Sequence, residues 1–142
     1  MDLYSETILD YYKNPINKGK IANAQAHAIE HNPSCGDIIE IYLNFDDQGC
    51  VNEIKFDGHG CAISQAATSM LTEDLLGKTA EEIRAIDNQQ IYDMLGVEIS
   101  AGRVKCALLG LVAAKNAIKT PQGPKKSPPS PSPTAANLIG KN

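Results

Sequence analysis

The spacing of apolar positions changes character three times along the chain. In "SETILDYYKNP" it predicts a short helix: Ser5 can cap it, Leu3, Ile8, Tyr11 and Tyr12 form an apolar side, and Asn14-Pro15 ends it. A polar turn, "NPINKGK", follows, and the small and apolar residues from Ala24 to His31 predict an edge strand. The period then becomes two. In "IIEIYLNF", Ile39, Ile41, Leu43 and Phe45 fall on one face while Glu40, Tyr42 and Asn44 point the other way. "DDQG" is a hairpin turn, and "CVNEIKFDG" is the returning strand, with Ile54 and Phe56 on its apolar side.

Beyond Gly58-His59-Gly60 the period becomes helical. Ile63, Ala66, Ala67, Met70, Leu71 and Leu75 share the spacing of one helix, with Gly77 as its stop. Thr79 with Glu82, and Asp87 with Gln90, are capping-box signatures that open two further helices, and "CALLGLVAAKNAIK" is the last. The expected architecture is α+β: a small antiparallel three-stranded sheet packed against about four to five helices. From Thr120 the pattern stops. All eight prolines except Pro15 and Pro33 lie there, with almost no large apolar residues, so too little surface can be buried to offset chain entropy. The expected division is a domain over 1–119 and a Pro/Ser-rich flexible tail over 120–142.

At 142 residues the domain can bury a core without needing a disulfide or a structural metal. A bound metal would therefore be functional rather than a staple. The net charge of -4 and the dispersed basic residues argue against nucleic acid as a partner. No apolar run approaches the roughly 20 residues needed to cross a bilayer, and "MDLYSETILDYY" is unlike a secretory or transit signal. A cytoplasmic location is the simplest reading. In that reducing compartment the four cysteines are expected to be thiols or metal ligands.

Three of the four lie at junctions. Cys35 precedes the first hairpin strand in "NPSCGD", Cys61 follows Gly58-His59-Gly60 at a helix start, and Cys106 begins the last helix. The hairpin returns Cys61 to the end of the sheet from which Cys35 departs, whereas Cys50, at the turn, is left a strand length away, roughly 20 Å. A site at one end of the sheet can therefore hold Cys35 and Cys61 but not Cys50. A helix N-terminus favours a thiolate, which suits Cys61 and Cys106. Gly36, Gly58 and Gly60 would let the backbone approach a bulky ligand. Asp37 adds a hard oxygen to soft sulfurs, a donor set that suits zinc or a two-iron cluster. Taken singly, each cysteine is more often a small core residue than a ligand, and the spacing is not CxxC. His27 and His59 are expected to be solvated or satisfied rather than ligands.

Four segments, "YSETILDYYKNPINKGK", "NPSCGD", "GHGCAISQAATSML" and "RVKCALLGL", together resemble the iron-sulfur cluster scaffold family, the IscU-type and NifU N-terminal proteins, from about Tyr4 to Lys119. The resemblance implies a non-enzymatic carrier. Such a carrier assembles a [2Fe-2S] cluster from ferrous iron and persulfide sulfur delivered by a cysteine desulfurase, takes electrons from a ferredoxin-type donor, and passes the cluster to apoprotein acceptors. By motif it implies Cys35, Cys61 and Cys106 as ligands, Asp37 as the carboxylate that keeps the cluster exchangeable, and Cys106 as the persulfide acceptor. Either an intrachain cluster or one bridged in a homodimer is compatible with that set. Two positions depart from the IscU pattern: Lys105 stands where many members have histidine, and "SAGRVKC" replaces a Leu-Pro-Pro-Val-Lys segment. A basic residue before the third cysteine is similar to the SufU-type branch, a zinc-binding sulfurtransferase partner of its desulfurase. The interval from Cys61 to Cys106, however, lacks that branch's insertion. The scaffold is the preferred reading, with the zinc-dependent sulfurtransferase as the alternative and zinc or iron as alternative occupants.

Overall fold

The structure, a computed structural model, describes residues 5–34 and 36–119. Leu3, Cys35 and the expected tail 120–142 lie outside the described residues. The order is α1 (Glu6–Lys13), β1 (Ala26–Asn32), β2 (Asp37–Phe45), β3 (Val51–His59), α2 (Ala62–Leu75), α3 (Ala80–Arg84), α4 (Asn88–Leu95), a 3-10 turn (Ala101–Arg103) and α5 (Val104–Lys119). The expected α+β class is what is found: among the described residues, a three-stranded antiparallel sheet in the order β1-β2-β3, with five α-helices.

Local chemistry sets most of the boundaries. Ser5 caps α1 by accepting the Ile8 N–H, and Asn14 closes it. Both capping boxes are complete: Thr79 and Glu82 exchange hydrogen bonds at the start of α3, and Asp87 and Gln90 at the start of α4. These reciprocal bonds satisfy N–H groups that a helix start otherwise leaves unpaired. The hairpin turn is built by Asp46, whose Oδ1 accepts the Gln48 and Cys50 N–H groups. A register shift between Asn44 and Phe45 brings Phe45 opposite Val51. On α1, Ile8 is buried and Tyr11 half-buried, but Tyr12 is 44% exposed and does not join the expected apolar side. Tyr11 instead spans to α2, donating its hydroxyl to Glu73 at 2.6 Å.

Helices α2 and α5 cover one face of the sheet, where Ile39, Ile41, Leu43, Ile54 and Phe56 are buried with Ile63, Leu71 and Leu111. Helix α2 runs through the middle of this core, so its polar residues are buried as well as its apolar ones. Thr68 and Thr72 donate their hydroxyls back to the Ser64 and Ser69 carbonyls, and Ser69 Oγ accepts the Ile16 N–H at 2.7 Å. The two helices cross closely at Gly110, where a Cβ would lie 2.4 Å from Thr68 Oγ1. Among the described residues no helix packs on the outer face of the sheet. There Tyr42 is buried beneath His27, which stacks on it at 4.7 Å, and Lys20, which pairs with Glu40 and Asp57. The segment around Lys18 bonds to the backbone of Phe56 and so covers the β3 edge. Among the described residues no helix is long and apolar enough to cross a membrane.

Candidate functional site

Three elements begin at the same end of the sheet, and each brings one reactive side chain there. Asp37 is the first residue of β2, paired with Asn32 across the sheet. Cys61 is the N-cap of α2, and Cys106 lies in the first turn of α5. One carboxylate oxygen and the two sulfurs all lie within 4.8 Å of one another, and they form the one such group of potential metal ligands among the described residues. The close crossing at Gly110 and Thr68 is what lets the two helix starts meet.

The Asp37 carboxylate is 1% exposed, an environment in which an unsatisfied charge would be costly. Its Oδ1 accepts the Cys61 N–H at 3.0 Å, and its Oδ2 lies 3.7 Å from Cys61 Sγ. Cys61 Sγ also accepts the Ser64 N–H at 3.5 Å, taking the place that a serine or aspartate fills at most helix starts. Cys106 is 1% exposed, and its Sγ accepts from Asn32 Nδ2 at 3.7 Å. Lys105, immediately before it, is exposed.

Two of the glycines also make room for the protein itself. A Cβ on Gly60 would stand 2.2 Å from Asp37 Oδ1, and one on Gly58 would stand 2.0 Å from the Ile38 carbonyl oxygen. Both make room for protein: Gly60 for the carboxylate, Gly58 for the neighbouring strand. Gly36 has φ +74° and open space around the missing Cβ, so there the backbone conformation itself favours glycine.

Cys50 is at the opposite end, half-buried and bridged through its backbone to Thr79, as the hairpin argument requires. His27 is satisfied by Glu40 at 2.6 Å, and His59 is exposed at the end of β3. Asn32 is a residue that sequence reasoning passed over. Its place before proline signals a turn, but nothing local indicates contact with a sulfur 74 positions later. Beside the group, a cleft of about 370 Å³ runs between the end of β1 and α5, lined by Asn32, Pro33, Ser34, Lys105, Leu108 and Val112 among others.

Chemically the group fits a transition metal. Two thiols and a buried carboxylate offer the mixed soft and hard donors that zinc and iron accept, and the surrounding N–H groups point at the acceptor atoms.

Comparison with known proteins gives the group a context. The NifU-like N-terminal domain profile matches residues 3–127. The iron-sulfur cluster assembly scaffold protein IscU of Haemophilus influenzae is 36% identical over 118 residues, covering 81% of this chain and 92% of that protein. IscU 1 of the archaeon Archaeoglobus fulgidus is 36% identical over 116 residues, 82% of this chain and 74% of its own. Among solved structures, a protein assigned to cluster scaffolding for the SUF system in Fervidobacterium islandicum AW-1 superposes with a TM-score of 0.70 at 36% identity, covering 81% of this chain and 96% of its own. The N-terminal part of a NifU-like protein from Brucella abortus superposes at 0.67 with 27% identity, covering 82% of this chain and 92% of its own. With the profile matching residues 3–127 and relatives 36% identical over most of the chain, this protein belongs to the NifU-like N-terminal domain family, alongside the IscU-type scaffolds.

Proposed function

We propose that this protein is a scaffold on which a [2Fe-2S] cluster is assembled and from which it is passed to apoproteins. The observation that carries the reading is the buried Asp37 carboxylate set against Cys61 and Cys106, all within 4.8 Å. A structural zinc site is usually closed by four soft ligands, whereas a carboxylate among thiolates is a weaker partner for iron and leaves the cargo exchangeable. Cys35, two positions before Asp37 in the chain, completes the proposed ligand set Cys35, Asp37, Cys61 and Cys106.

In this reading a cysteine desulfurase presents a persulfide. The Cys106 thiolate attacks its terminal sulfur, the S–S bond of the donor breaks, and the desulfurase cysteine leaves as a thiolate while Cys106 carries the new persulfide. Each sulfane sulfur then needs two electrons to become sulfide. Oxidation of ferrous to ferric iron supplies part of them, and a ferredoxin-type donor supplies the rest. The protein itself holds and hands over the cargo and remains chemically unchanged at the end of the cycle. It does this work in the cytoplasm, and a homodimer bridged by the cluster uses the same ligands as an intrachain one.

Lys105 favours a second reading. Its position before Cys106 fits a zinc-dependent sulfurtransferase in which Cys106 leaves the metal to accept sulfur. Anaerobic incubation with ferrous iron, a cysteine desulfurase and cysteine separates the two. The scaffold gives [2Fe-2S] absorption with matching iron and acid-labile sulfide, and Cys35→Ser abolishes it. Retained stoichiometric zinc, with desulfurase stimulation and no cluster, supports the alternative and sinks the scaffold.

A further inference from the structure

Asn32 connects Ser34, Gly36 and Asp37 at the start of β2 to Cys106 on α5. It is the last residue of β1 and is paired with Asp37 across the sheet. Its side chain is 5% exposed in total. The carboxamide oxygen accepts the Ser34 N–H at 3.2 Å, and the backbone carbonyl accepts the Gly36 N–H at 2.8 Å. Both bonds grip the chain on either side of position 35. The carboxamide nitrogen points away from this turn and donates to Cys106 Sγ at 3.7 Å.

An amide suits this place for a physical reason. One end must accept from the loop and the other must donate to sulfur, and a neutral carboxamide carries both functions without adding charge to a buried group of acids and thiols. Aspartate would lose the donor, and serine is too short to reach the sulfur. Hydrogen bonds of this kind to ligand atoms orient them and tune the metal they hold.

Resting on the proposed ligand role of Cys106, we infer that Asn32 is a positioning residue. Through its N–H···S bond it fixes Cys106 Sγ in the binding arrangement and lowers the electron-donating power of that sulfur, while its oxygen and carbonyl tie Ser34 and Gly36 to the same point. It touches no cargo itself.

Titration of the full chain with Co²⁺ alone, followed through the thiolate-to-cobalt charge-transfer band, tests this without cluster assembly. Asn32→Ser keeps an acceptor for the Ser34 N–H but loses reach to the sulfur, and Asn32→Ala loses both. Both variants should bind Co²⁺ about 10- to 100-fold more weakly. Their band should also move to longer wavelength, because a sulfur without its hydrogen bond gives up charge more easily. A loss of affinity with the band unmoved in both variants would make Asn32 a merely structural residue and overturn the inference, as would wild-type affinity and band position in both. If the wild-type chain shows no thiolate band at all, the ligand role of Cys106 fails, and the inference falls with it.

Discussion

At one end of the sheet Asp37 Oδ1 accepts the Cys61 N–H, and at the other Asp46 Oδ1 accepts the Cys50 N–H, both at 3.0 Å. The same two residue types make the same bond at the same distance, yet the surroundings differ in every respect that matters to chemistry. Asp46 is exposed and also takes the Gln48 N–H, so its carboxylate is consumed in shaping a turn. Asp37 is buried, its second oxygen faces the Cys61 sulfur, and Cys106 stands beside both. An aspartate bonded to a cysteine backbone is therefore no sign of a site by itself. A second thiol within reach and the exclusion of water are what distinguish the two ends.

The largest contrast is expected in metal binding. Cys61→Ser should weaken Co²⁺ binding and lower the thiolate-to-cobalt band, while Cys50→Ser should leave band and affinity at wild-type values. Equal losses in the two variants would erase the distinction between the ends. The next effect is on stability. Gly60→Ala drives a methyl into the Asp37 carboxylate, and overpacking of that kind should cost about 3 kcal/mol in urea unfolding. Gly49→Ala, in the turn at φ +80° with nothing within 4 Å, should cost about 1 kcal/mol from backbone conformation alone. Matching costs would mean that Asp37 yields as easily as a solvated side chain.

The smallest effect belongs to the outer face between the two ends. Lys20 donates to Asp57 and to Glu40. The Asp57 carboxyl is held below its ordinary range by that bond and by the Gly58 backbone N–H. Burial pushes Glu40 up, but hydrogen bonds with His27, Tyr42 and Lys20 together outweigh it and leave the group below its ordinary range. A carboxyl depressed in the folded state contributes stability that is present above its unfolded value and lost as pH falls through the folded one. Lys20→Met should thus lower the urea midpoint slightly at neutral pH, and the gap to wild type should close as pH falls below about 4. A gap that persists in acid would place the Lys20 contribution in packing over Tyr42 rather than in charge. Co²⁺ binding should not change in this variant.

Much of this was legible from residue order. Alternation in "IIEIYLNF", the turn signal and the two capping boxes are local rules, and the structure obeys them. The hairpin and a strand length predict Cys61 at the end of the sheet where Cys35 departs and Cys50 at the other; Cys35 lies outside the described residues, and what stands against Cys61 there is Asp37, two positions on, with Cys50 at the opposite end. The contacts that escaped are those between segments far apart in sequence. Tyr12 was assigned to the buried side by period alone, but a helix of eight residues offers only a narrow stripe, which Ile8 and Tyr11 fill. The serines and threonines of α2 are buried, and their hydroxyls are satisfied by returning to the helix backbone or by holding Ile16 and Asn17, partners that no local pattern names. The glycines before Cys61 carried a correct signal of close approach, but not the identity of what approaches. Asn32 was hidden for the same reason: its partner is set by how α5 docks, and no short motif encodes docking.

The crossing of α2 and α5 has a mechanical side. Thr68 lies two turns beyond Cys61, and Gly110 lies one turn beyond Cys106, so the point of closest approach is about 10 Å along one helix and about 6 Å along the other from the sulfurs. Two rods held together near one point act as a pair of jaws, and the gap at the tips follows the angle at the pivot. Together with the packing of both helices on the sheet, a hydroxyl against a missing methyl, atoms with no affinity for metal, thus shapes the distance between the two thiols, and part of the span that the site offers its cargo is inherited from how tightly two helices can touch.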